Sequence, residues 1–208
     1  GLGDVYKRQI NEYDAIVVGT GVSGGWAAKE LCEKGLKTLV LERGRMLEHI
    51  EDYTTMNDDP WDYKYGDVIT KDIRKRQPKQ SRTEYVNSVS TSHLFVDDLK
   101  HPYNEIQKFN WIRGYHVGGR SLTWGRQSYR LTDFDFNANL EDGIAIDWPI
   151  RYKDLAPWYH YVEEHIGVSG ENVGLPQFPD GNYLKPMELN CVEHDLKTAV
   201  NKKYKDRI

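Results

Sequence analysis

Residues 13–42 read YDAIVVGTGVSGGWAAKELCEKGLKTLVLE, and the fold class follows from this stretch. YDAIVV is a short apolar run of the kind that becomes a strand buried in a parallel sheet. GTGVSGG comes next, then WAAKELCEKG, in which Ala27, Ala28, Leu31 and Cys32 recur at helical spacing. Gly35 stands where a helix-ending glycine belongs. TLVL at 38–41 is a second apolar run, and Glu42 closes it. Strand, glycine turn, helix and strand in that order make a βαβ unit. The expectation is an α/β, Rossmann-like domain with a parallel sheet.

Gly19, Gly21 and Gly24 form G-x-G-x-x-G within this unit. Gly19 permits the tight turn, Gly21 lets a pyrophosphate approach the backbone, and Gly24 lets the helix pack closely on the sheet. The loop residues Thr20, Val22 and Ser23 belong to the same cradle. Phosphates would sit at the helix N-terminus, on its free N–H groups and the positive end of its dipole. Glu42 is placed to accept hydrogen bonds from the adenosine ribose hydroxyls. A carboxylate there disfavours a 2′-phosphate, and the neighbouring Arg43 weakens that argument slightly. Such a unit binds an ADP moiety, which FAD and NAD share.

A second glycine-rich segment, GYHVGGRSLTWGR, occupies 114–126. Gly118 and Gly119 allow backbone to lie against a flat ring, and Ser121 can donate to a phosphate or a ring carbonyl. A structural bend is the rival reading of the same residues. Gly44, after Glu42-Arg43, lets the chain turn sharply beside an adenosine.

VVGTGVSGGWAAKELCEKGLKTLVLERG, GYHVGGRSLTWGRQSYR and DWPIRYKDLAPWYHYVEEHIGVSG occur in that order and cover most of residues 13–170. Together they resemble the glucose–methanol–choline (GMC) family of FAD oxidoreductases, closest to its sugar and glycoside dehydrogenases and pyranose-oxidase-like members. The resemblance implies an FAD held by its ADP half on the first loop, with the second loop along the pyrophosphate and isoalloxazine. It also implies hydride transfer from a CH–OH group of a sugar or other alcohol to flavin N5. The electrons would then pass to a carrier or to oxygen.

This sequence departs from the family in places. The family's second loop continues with small hydroxyl residues and then an Asn or His, whereas Arg120 follows the glycines here. Thr123 stands at what looks like the position of a flavin-linking histidine, and threonine cannot make that bond, so FAD is expected to be non-covalent. His116, Arg120 and Trp124 are equally explained by contact with the ring or by ordinary packing. The family's catalytic His lies in a segment that would come after Ile208, so no catalytic residue is assigned. The spacing of His160 and His165 is not metal-like, both are expected to face solvent, and no metal ligand is assigned.

The remaining features set bounds. The chain has 208 residues, 38% of them hydrophobic and 29% charged, which is enough apolar content for a core. A net charge of −4 argues against nucleic acid as a partner, and the basic run at 71–82 reads as a solvated loop. The two cysteines suggest a buried thiol at Cys32 and a stray one at Cys191 rather than a disulfide. No apolar run is long enough for a membrane span.

Trp148, Trp158, Tyr159 and Tyr161 surround an expected helix at 155–166, with Asp154 as its N-cap and Pro157 in its first turn. They read as core sooner than as a sugar platform. The domain expectation is a leader at 1–12 that is disordered or foreign to the fold, an FAD-binding domain at 13–170, and the start of a substrate domain at 171–208. An irregular insertion at 46–110 would be either short strands or a partner-facing excursion. Both ends look cut. The rival readings are a nicotinamide-linked Rossmann dehydrogenase and a non-catalytic nucleotide-binding or electron-transfer partner.

Overall fold

A computed structural model describes residues 12–83 and 86–204. It divides into two compact units, Gly1–Gly125 and Arg126–Ile208.

The first unit is built on the βαβ element. β1 (Ala15–Val18) pairs in parallel with β2 (Thr38–Leu41), Ala15 opposite Thr38 and Val18 opposite Leu41. The crossover is α1 (Val22–Glu33). Gly19 N–H donates to the Leu41 carbonyl at 2.7 Å, so the glycine turn leaves the ladder directly from its last rung. A Cβ on Gly24 would overlap the Gly19 carbonyl oxygen, and only glycine lets the first turn of α1 come this near the strand end. Val17 is the buried residue of β1, whereas Ile16 and Val18, on the opposite face of the pleat, are 62% and 81% exposed. With two strands to pack on, α1 buries no side chain fully, and Cys32 is exposed rather than buried as its spacing suggested.

The stretch after β2 contains no strand among the described residues. It is made of 3-10 turns at Pro60–Asp62, Lys64–Asp67, Gln80–Arg82 and Ser92–Leu94, with one short helix, α2 (Lys71–Arg76). The basic run is therefore not a loop. Thr70 caps α2 by accepting from Ile73 N–H, and Ile73, Gln77 and Gln80 are buried while Arg74, Lys75 and Arg76 face solvent. The interior here is partly polar. The Asp98 carboxylate accepts from the N–H of Lys79 and of Gln80, from Gln80 Nε2 and from Arg113 Nη2, at 2.7–3.2 Å. This network is buried beside Ile69, Ile73, Leu94, Phe95 and Val96, and a core that mixes buried polar and apolar residues on 3-10 turns shows no regular hydrophobic period in the sequence.

The second unit carries α3 (Asp133–Asp142), α4 (Tyr152–Ile166) and α5 (Cys191–Lys203). Thr132 caps α3 in a capping box with Asp135, and Gly143 and Gly167 end α3 and α4 in the left-handed conformation. The N-cap of α4 is Arg151, not Asp154. Asp154 is the third helical residue and accepts from Arg151 N–H at 2.8 Å, and Pro157 lies inside the helix. Nor is the aromatic cluster core. Trp158 is 61% exposed, Trp148 and Tyr161 are exposed as well, and the buried residue of α4 is Glu163. His160 and His165 are exposed, as expected. Among the described residues no helix is long and apolar enough to cross a membrane.

Candidate functional site

The glycine turn after β1, the chain leaving β2 and the second glycine segment meet at Thr20. Thr20 N–H and its hydroxyl both donate to Glu42 Oε2, at 2.9 and 2.6 Å. The same hydroxyl accepts from Gly118 N–H at 3.0 Å. Glu42 Oε1 accepts from Gly44 N–H at 2.8 Å. The Thr20 hydroxyl, then the N–H groups of Gly44 and Thr20, hold the Glu42 carboxyl at a pKa of about 2, so it is anionic at neutral pH.

The second segment is fitted against this junction by backbone. Val117 N–H donates to the Arg45 carbonyl at 2.9 Å, and Arg45 pairs in parallel with His116. A Cβ on Gly44 would overlap the backbone at Tyr115 and His116, so the two chains pass where no side chain fits. Gly118 and Gly119 have φ of +88° and +53°, both left-handed, and lead into a 3-10 turn at Gly119–Leu122. At Gly119 a Cβ would lie 3.1 Å from Gly21 Cα. The two glycine loops are therefore in contact.

The space in front of the first loop is open. Ideal Cβ positions at Gly19 and Gly21 meet nothing within 4 Å. Gly21 is the N-cap of α1, no side chain caps that end, and no acidic residue stands in its first turn. Twelve residues of helix thus point an uncapped, electropositive terminus into free space bordered by glycine backbone. Such a cradle suits an anionic group that must approach the main chain closely.

Of the residues expected from sequence, Gly19, Thr20, Gly21, Gly24, Glu42, Gly118 and Gly119 lie at this junction. Val22 and Ser23 begin α1 and are exposed. Ser121 turns back instead, its hydroxyl donating to the Gly118 carbonyl at 2.7 Å. Arg43 lays its guanidinium over the Tyr115 ring, 3.8 Å from the centroid. His116 is 3% exposed, and its Nε2 faces Gly114 (2.6 Å from the ideal Cβ position there), away from open space. Tyr115 and Arg45 were missed from sequence. Their roles depend on pairing between segments far apart in the chain, and no local pattern signals that. Among the described residues no group of three metal-binding side chains occurs.

No protein-family model matches the chain. Among characterised proteins it is 28% identical over 185 residues to a gluconate 2-dehydrogenase flavoprotein of Pantoea cypripedii, covering 82% of this chain and 28% of that protein. It is 26% identical over 159 residues to the fructose dehydrogenase large subunit of Gluconobacter japonicus, covering 76% and 28%. It is also 26% identical over 165 residues to a paromamine 6′-oxidase of Streptomyces fradiae, covering 78% and 24%. The chain thus spans about a quarter of the length of these relatives, all of which are oxidoreductases by name.

Proposed function

We propose that the chain forms the FAD-binding part of a GMC-type flavoprotein, Rossmann-like in fold, that oxidises CH–OH groups of a sugar or other alcohol. The observation that carries this reading is the junction at Thr20. It sets an open, uncapped helix terminus, an anionic Glu42 and a second glycine loop side by side. The names of the relatives, dehydrogenases of gluconate and fructose and an oxidase of paromamine with one called a flavoprotein, support it further.

On this reading Gly19, Gly21, Val22, Ser23 and Gly24 bring backbone to the pyrophosphate, and the N-terminus of α1 neutralises part of its charge. Glu42 accepts from the ribose, and Arg43, flat on Tyr115, borders the adenosine. Gly118 and Gly119 supply backbone contacts farther along the cofactor, while the Ser121 hydroxyl, its proton given to the Gly118 carbonyl, keeps only acceptor capacity there. Bound there, the flavin supplies a hydride acceptor for a CH–OH donor. The chain's own residues bind and orient; no described histidine stands free at the junction to take the hydroxyl proton, since His116 is buried beside Gly114. Thr123, which closes the 3-10 turn, has no chemistry for a flavin bond, so the cofactor is held without a covalent link. The electron acceptor on this reading is a carrier or oxygen.

The test is to identify the small molecule carried by the purified protein. Acid precipitation should release intact FAD into the supernatant. A nicotinamide nucleotide there, or flavin left on the pellet, would overturn the cofactor or its non-covalent attachment respectively.

A further inference from the structure

Thr20 occupies an unusual place, because its hydroxyl is the hydrogen-bonded link between the two glycine loops. We propose that Thr20 is a positioning residue whose hydroxyl locks the second loop and the Glu42 carboxylate onto the first before any ligand arrives. This rests on reading the junction as a dinucleotide site.

A hydroxyl has one proton and two acceptor sites. Here the proton goes to Glu42 Oε2 at 2.6 Å, a short charge-assisted bond, and a lone pair receives Gly118 N–H at 3.0 Å. The carboxylate thereby polarises the hydroxyl that holds Gly118. Gly118 is the left-handed residue from which the second loop turns, and Gly119 rests against Gly21. Fixing one N–H thus fixes the approach of one loop to the other. The lock also orients Glu42. Oε2 accepts both bonds from Thr20 and Oε1 accepts one from Gly44, so the carboxylate is held at both oxygens and its plane is set before a ribose diol reaches it.

Valine has the shape of threonine without its hydroxyl, and serine keeps the hydroxyl. In the ligand-free 208-residue chain, Thr20→Val should speed amide exchange at Gly118 and raise the Glu42 titration seen by carboxyl-carbon NMR, while Thr20→Ser stays close to the parent. With FAD as the probe, Thr20→Val should weaken binding at least about tenfold and Thr20→Ser by no more than about threefold. Unchanged Gly118 exchange and Glu42 titration in Thr20→Val would overturn the lock. Equal FAD affinity of Thr20→Val and parent would overturn its role in positioning. A parent chain that takes no FAD would instead overturn the flavin reading, and the ligand-free measurements would still decide the lock. Melting curves of both variants separate these results from a general loss of folding.

Discussion

Glu42 accepts hydrogen bonds from Thr20 N–H, the Thr20 hydroxyl and Gly44 N–H, all from within its own unit. Its carboxyl is held at about 2 by those donors, chiefly the hydroxyl. A depressed folded-state pKa contributes stability above the unfolded value and loses it as pH falls. The Glu42 contribution should therefore fade between about pH 4.5 and pH 2. Urea midpoints measured across that window should fall in the parent chain, and Glu42→Gln should remove part of the slope. Gly24 makes a sharper test. Gly24→Ala would drive a methyl into the Gly19 carbonyl, so it should destabilise the first unit by about 1–3 kcal/mol and abolish nucleotide binding, read by urea melts and FAD titration. Gly24 and Glu42 were legible in the sequence because their spacing is local to one βαβ unit. The bond from Gly118 to Thr20 was not, because 98 positions separate its partners.

At the scale of elements, α4 is held by charge where an aromatic stripe was expected to hold it. Arg130 and Glu163 form a two-pronged pair at 2.6 and 2.7 Å, with side chains 2% and 6% exposed. Tyr152 hydroxyl accepts from Arg130, and Glu163 also accepts from Asn182 N–H, so one pair ties two stretches of chain to the helix. Burial by itself would raise the Glu163 carboxyl, but Arg130 and the Asn182 N–H outweigh it and the net shift is downward. Removing one partner strands a buried charge, so Arg130→Met should cost the second unit about 3–5 kcal/mol in a urea melt. Restoring neutrality with the pair Arg130→Met and Glu163→Leu should recover much of that loss. Periodicity gave the existence of α4 but not its buried side, because Trp158 and Glu163 are both compatible with helical spacing. A charged residue reads as solvent-facing until its partner is known. The same limit concealed the fold around α2, where Gln77, just past the helix, and Gln80, in the next 3-10 turn, are buried yet look like surface in a sequence.

Among the described residues of the whole chain there is one sheet, of two parallel strands in the first unit, and Ile16, Val18, Val40 and Leu41 of those strands are exposed. Two-stranded sheets are marginal alone. Thermal unfolding of the 208-residue chain, followed by far-UV circular dichroism, should accordingly be broad and should sharpen when FAD is added, since a ligand of the folded state stabilises it by mass action. The chain by itself should not reduce an electron-accepting dye at the expense of an alcohol, because no described histidine stands at the junction with access to a substrate. On the proposed reading the junction at Thr20 selects FAD among ADP-containing cofactors, because the second glycine loop adds contacts that the first loop alone lacks. Parallel calorimetric titrations of the chain with FAD and with NAD test it most directly. FAD should bind at least about tenfold more tightly than NAD; equal affinities, or a preference for NAD, would rule out a flavin-selective junction.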